Sequence, residues 1–173
     1  MSSREKYAPG PARAAEVRRN GDTWTLVLVR ELRHSPEKVW QALTEPAQLR
    51  EWAPFDADRS LDTIGPVKLT TVATPTPQVS ETRIERAEAP RLLEYSWGGN
   101  DVRWELQPLA DGTRLTLWHS IGRRFVSMGA AGWHICFDVL DRFLDGDPMG
   151  RIVGPGAMKF EWQRLNAEYA KQF

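Results

Sequence analysis

His119 and Arg30 are the polar side chains of this sequence best placed to do chemistry, because strand alternation puts both on apolar faces. The segment Thr113 to Ser120 alternates, so His119 shares a face with Leu115 and Leu117. A histidine there can donate to a ligand carbonyl or act as a general acid or base. It can equally be a hydrogen-bonded residue at a strand end, and buried polar groups ordinarily find such partners, which favours the plainer role. Arg30 lies on the face of TWTLVLVREL that carries Leu26, Leu28 and Leu32. An unpaired charge there is costly, so it needs either a carboxylate, expected from a glutamate on a neighbouring strand, or an acidic ligand in a polar cavity.

The remaining charged candidates read more simply. His134 and Asp138, four residues apart, are expected to pair on a helix surface. Arg123 and Arg124 precede a helix whose start Ser127 would cap, and could receive a carboxylate or phosphate; two solvated loop arginines are the simpler reading. The three histidines, His34, His119 and His134, are scattered, with no H-x-x-x-H and no cysteine partner spacing, so no metal is expected. There is no G-x-S-x-G, no glycine-rich phosphate loop and no pair of carboxylates on a clear shared face, so no cofactor is expected either.

The stretch GAAGWHICFDVLDRFLDG, Gly129 to Gly146, reads as one helix. His134, Asp138, Asp141 and Asp145 fall on a narrow polar stripe, and the apolar remainder is wider than the roughly 100° arc of a helix lying on one core. That arc must be covered on two sides, by protein on both or by protein and a ligand. Cys136 lies on it and reads as a buried, inert thiol. The first candidate cover is a terminal helix that places Met158, Trp162, Leu165 and Tyr169 on one stripe.

These side chains need elements to position them. Ser35, Pro36 and Glu37 start a short helix, and Pro46 opens a second. A long loop bearing Phe55 follows. Five segments with period 2 come next: Val67 to Val72, Val79 to Glu88, Leu92 to Trp97, Val102 to Leu106 and Thr113 to Ser120. The connections are short enough only for antiparallel hairpins. The fold class is α+β: a curved antiparallel sheet of about six strands around the long helix, with two short helices after the first strand and an extra terminal helix.

Residues 1–21 read as a flexible or loosely docked arm and 22–173 as one domain, a length that buries roughly 70% of the unfolded surface. Lys plus Arg equals Asp plus Glu at 23 each, which argues against nucleic-acid binding. No stretch is a membrane span or a signal peptide, and one cysteine suits a reducing compartment, so a cytoplasmic protein is expected. Eight tryptophans are the outlier, serving as core or as pocket walls.

The segment HSPEKVWQALTEPAQLREW resembles the entry motif of the START-like superfamily, also called SRPBCC or helix-grip. Further along, AEAPRLLEYSW, DGTRLTLWHS and GWHICFDVLDRFLDG resemble the branch named for activators of the ninety-kilodalton heat-shock protein's ATPase. The resemblance implies a sheet gripping the Trp133 helix, with an apolar cavity open near the two short helices. Members of the superfamily bind hydrophobic small molecules, some are cyclases or hydrolases, and one group is co-chaperones; no catalytic motif carries over residue by residue.

The reading that follows is a protein binding a hydrophobic or aromatic small molecule through Arg30, Trp52, Phe55, Trp97, Trp104, His119, Trp133 and Phe137. Trp52 and Phe55 would stand at the gate and Trp97, Trp104 and Trp133 on the walls. Two alternatives stay open: an enzyme of cyclase, dehydratase or hydrolase type with His119 as its catalytic candidate, and a module acting on a chaperone. A homodimer is a further possible partner.

Overall fold

The computed structural model describes residues 2–173. A short helix α1 (Ser3–Lys6) and strand β1 (Glu16–Asn20) precede β2 (Thr23–Leu32), which has the bounds of the TWTLVLVREL pattern. Helix α2 (Pro36–Thr44) begins where its capping chemistry dictates, with the Ser35 side chain accepting from the Lys38 N–H. Pro46 forces Glu45 into extended backbone and opens α3 (Pro46–Trp52). Then come β3 (Phe55–Ala57), β4 (Gly65–Thr71), β5 (Gln78–Ile84), β6 (Arg86–Glu88), β7 (Leu92–Trp97), β8 (Asn100–Leu109) and β9 (Gly112–Ser120). The long helix is α4 (Val126–Leu144), and a 3₁₀ segment, Gly154–Phe160, leads into α5 (Trp162–Ala170).

The large sheet has six antiparallel strands in the order β1-β2-β9-β8-β7-β6. Its register lines up inward-facing rows: Leu26, His119 and Val102; Leu28, Leu117 and Trp104; Arg30, Leu115 and Leu106. All nine side chains are buried, so alternation assigned this face correctly. This is the helix-grip fold, with α4 held against the concave side.

The membership of that sheet differs from expectation. The Val79 to Glu88 segment is interrupted at Glu85, whose N–H bonds to the Glu94 carbonyl at 2.8 Å. Upstream, β5 belongs to a separate three-stranded sheet, β3-β4-β5; downstream, β6 edges the large one. Each half alternates, but the phase slips at Glu85 and Arg86, two successive exposed charged residues, which is where the strand changes sheets. The long loop is likewise ordered, because the Arg59 guanidinium donates to the carbonyls of Ser60, Thr63, Gly65 and Pro66.

The segment expected as a flexible or loosely docked arm, residues 1–21, is described from residue 2 onward, and there it is paired and docked; residue 1 lies outside the described residues. Strand β1 pairs in register with β2, Glu16 opposite Val27 through Asn20 opposite Thr23. Further upstream the chain docks on the helices. Arg4 donates to the carbonyls of Met149, Gly150 and Arg151, the Tyr7 hydroxyl to Asp138 at 2.5 Å, and the Ala12 N–H to Glu168 at 2.8 Å. Proline, glycine and polar residues give this segment no periodic signal; its order comes from individual long-range hydrogen bonds.

The Tyr7 contact leads to an ionic centre at Asp138. Arg30, 4% exposed, donates to Asp138 at 2.8 Å, so its carboxylate comes from α4 and not from a neighbouring strand. His134 is not on a solvated stripe: it is 3% exposed, because α5 covers that side of α4. The Tyr169 hydroxyl accepts from the Arg13 N–H and meets His134 Nδ1 at 2.7 Å, while His134 Nε2 lies 3.5 Å from Asp138. Burial drives the His134 pKa from 6.5 down to about 4 against the opposing pull of Asp138. Leu165 and Tyr169 make the seal between the helices, with Trp162 only partly buried. Phe125, not Ser127, precedes α4, and no side chain caps that start.

Two outcomes follow. Asp138→Ala leaves Arg30 buried and unpaired and is expected to cost about 3 to 5 kcal/mol in chemical denaturation, whereas Arg30→Met with Asp138→Leu loses far less. His134 binds its proton more readily unfolded than folded, so stability conferred by the neutral form is present above pH 6.5 and declines as pH falls toward about 4. Denaturation midpoints measured across that window are expected to fall with acidity, and His134→Gln to flatten the decline.

Candidate functional site

The wide arc of α4 is not wholly covered by protein. Beside its first half lies an apolar cavity of about 570 Å³, bounded by the His119 end of the large sheet and by residues 152–158. The helix lines it with Gly129, Gly132, Trp133 and Cys136, spaced i, i+3, i+4 and i+7. A methyl group added at Gly132 would meet nothing within 4 Å, so this glycine opens the space. Gly154 closes the rim on the opposite side. Its backbone has φ +57°, and a Cβ there would lie 2.2 Å from the Ala73 carbonyl oxygen, so only glycine permits this approach between the rim segments.

His119 is the polar side chain at this site. It is 4% exposed, and its Nδ1 accepts from the Trp133 indole N–H at 3.1 Å. An indole nitrogen only donates, so Nδ1 carries no proton and the neutral ring bears its hydrogen on Nε2. That Nε2 is buried and has no partner. Trp97 stacks on the ring at 5.5 Å between centroids and 24° between planes. Burial lowers the His119 pKa from 6.5 to about 4, so the ring is neutral at physiological pH. The Cys136 thiol is pushed up to about 12 by burial and stays protonated, which agrees with an inert thiol.

The structure brings three of the eight anticipated residues, Trp97, His119 and Trp133, to the cavity wall. Trp104 and Phe137 stand behind them in the core, Trp104 edge-on to Trp133 at 5.5 Å and Phe137 at 5.9 Å from it. The placement of Trp52 and Phe55 at a gate is corrected, since each is 1% exposed. Trp52 donates to the Ala42 carbonyl at 2.9 Å and Phe55 packs on Trp97 at 5.0 Å, which makes both part of the support beneath the wall. Arg30 belongs to the Asp138 centre and does not line the cavity. Arg123 lies over Trp24, 5.5 Å from its ring, and takes no part either.

Sequence reasoning missed the rim. Residues 147–158 follow no period and are tied to the rest of the fold by Arg4, which donates to three of their carbonyls, and by their own Arg151, which donates to Asp56 at 2.6 Å and to the Leu49 carbonyl at 3.1 Å. Only the glycines of DPMGRIVGPG hinted at special backbone. The fold also brings His34 to Asp141 and Asp145 at the end of α4, with possible ligand atoms within 4.8 Å of one another. His34 Nε2 already meets Asp145 at 2.8 Å, and Lys38 Nζ lies 3.4 Å from its Nδ1 and donates to the Leu144 carbonyl, so the group is a hydrogen-bonded network in which both ring nitrogens are engaged. No described helix is long and apolar enough to cross a membrane.

Comparison with solved structures places the fold. A conserved protein of unknown function from Enterococcus faecalis, EF2215, superposes with a TM-score of 0.69 at 18% identity, over 91% of this chain and 89% of that one. CalU16 from Micromonospora echinospora gives 0.66 at 22% identity, over 92% and 96%. The AHSA1-like protein from Aeromonas hydrophila gives 0.58 at 16% identity, over 70% and 92%. No curated protein matches the sequence. Residues 33–145, from the start of α2 to the end of α4, match the family model described as Activator of Hsp90 ATPase homolog 1-like protein, and the chain belongs to this family, within the START-like superfamily.

Proposed function

We propose that this protein binds a hydrophobic small molecule in the cavity beside α4. The observation that carries the reading is Gly132. A glycine inside a helix costs about 1 kcal/mol relative to alanine, and such positions usually earn it through close packing of a neighbour. Here no neighbour approaches: the space beside Gly132 is the cavity itself.

Two further features support it. A volume of about 570 Å³ suits a drug-sized organic molecule. The walls are indole, proline, aliphatic side chains and glycine with one neutral imidazole, so affinity would come from apolar surface leaving water. No lysine or arginine lines the space, which removes the acidic-ligand role considered for Arg30.

The test uses N-phenylnaphthylamine, an uncharged dye that brightens in apolar surroundings, together with tryptophan emission, since Trp97 and Trp133 form the wall. Wild-type protein is expected to show a saturable rise in dye emission with matching quenching of tryptophan. Gly132→Leu is expected to weaken both at least about tenfold while raising stability by up to about 1 kcal/mol, because leucine projects into the cavity beside Trp133 and favours the helix. Binding of unchanged affinity in Gly132→Leu, or no binding to the wild type, would overturn the reading.

A further inference from the structure

One buried side-chain polar atom of the cavity wall lacks a partner, and its identity limits what the ligand can be. Of the five indoles that form or support the wall, four have their N–H committed: Trp52 to the Ala42 carbonyl, Trp97 to Thr71 Oγ1, Trp104 to the Tyr95 hydroxyl and Trp133 to His119 Nδ1, while the fifth, Trp162, stands partly buried at the rim. Six buried side-chain polar atoms among the described residues lack a partner, and His119 Nε2 is the one that belongs to a cavity-lining residue. The Trp133 bond fixes the tautomer, so this atom is an N–H donor and cannot accept. A buried donor left unpaired costs free energy that a ligand acceptor would recover.

The charge balance gives the second limit. With no cation lining the cavity, an ionised carboxylate would lose its hydration and gain a single neutral donor. An ammonium group would meet an imidazole edge that already carries hydrogen. Resting on the ligand-site reading above, we propose that His119 Nε2–H is the ligand-orienting donor of this cavity. The site thereby selects an uncharged apolar molecule bearing an acceptor oxygen, such as a ketone, aldehyde, quinone or ester, over the corresponding acid or amine.

The experiment is calorimetric titration with three naphthalenes substituted at the same ring position: the ketone acetylnaphthalene, the hydrocarbon isopropylnaphthalene and the carboxylate naphthoate. These share size and apolar surface and differ in the group offered to His119. Wild-type protein is expected to bind the ketone about tenfold more tightly than the hydrocarbon, and the carboxylate at least about a hundredfold more weakly than the ketone. His119→Phe is expected to bring ketone and hydrocarbon to equal affinity, with hydrocarbon binding reporting that the cavity is intact. His119→Gln, which keeps an acceptor for Trp133 and an amide donor, is expected to restore part of the ketone preference.

The outcomes separate the two readings. If neither neutral probe binds the wild type, the ligand-site reading falls and this one with it. If both bind equally, or naphthoate binds most tightly, or the ketone preference survives His119→Phe, the cavity remains a ligand site and the assignment to His119 is wrong.

Discussion

The Arg30–Asp138 pair is the constraint on which the rest of the molecule depends. A guanidinium on the concave face of a sheet, between rows of leucine, has to be met by a carboxylate, and only the helix lying on that face can deliver one. Meeting it fixes the rotation of α4. At about 100° per residue, Gly129 falls on the side of the helix opposite Asp138, and Gly132, Trp133 and Cys136 cluster around it. One buried ion pair therefore decides which residues face the cavity. The same carboxylate takes the Tyr7 hydroxyl and lies beside His134, which meets Tyr169, so the amino-terminal segment and α5 are fastened to the point that orients the helix.

The cavity survives because its two boundaries are made by different devices. On the helix side the space is opened by deletion: the glycine at 132 removes the side chain that would otherwise reach across. On the rim side it is closed by backbone, with Gly154 pressed against the Ala73 carbonyl and the segment before it clamped by Arg4 and Arg151. Interiors otherwise pack to the density of organic crystals, and the aromatic cluster of Trp52, Trp104, Trp133 and Phe137 does so here, in largely edge-on and tilted contacts. The void is thus local, bounded by a rigid wall on one side and a tethered segment on the other.

Local patterns made much of this legible. The inward rows of the sheet, the capped start of α2, the proline opening of α3 and the place of His119 all follow from spacing within a few residues. Periodicity fails where two environments share one spacing. Gly129, Gly132, Trp133 and Cys136 recur as any helix stripe does, and nothing in that recurrence distinguishes a face against protein from a face against empty volume. The same ambiguity hid His134, whose polar stripe is solvated until α5, about thirty residues away in sequence, lies over it. Trp52 and Phe55 were misplaced for a related reason: a loop position suggested a gate, but the β3 strand turns Phe55 inward and Trp52 finds a carbonyl in α2.

The division of labour between walls and donor then bears on specificity. Apolar burial is roughly proportional to area and indifferent to direction, so the indole and aliphatic walls would hold many molecules of the right size in many orientations. A hydrogen bond depends steeply on distance and angle, and a single donor suffices to choose among those orientations. Trp133 makes that donor rigid, since its N–H fixes both the tautomer and the tilt of the His119 ring while Trp97 stacks against its face. Imidazole orientation here is set by two tryptophans that also form the apolar wall, so shape and polarity of the cavity are coupled: a substitution that widens it at Trp97 or Trp133 also releases the His119 ring that they hold.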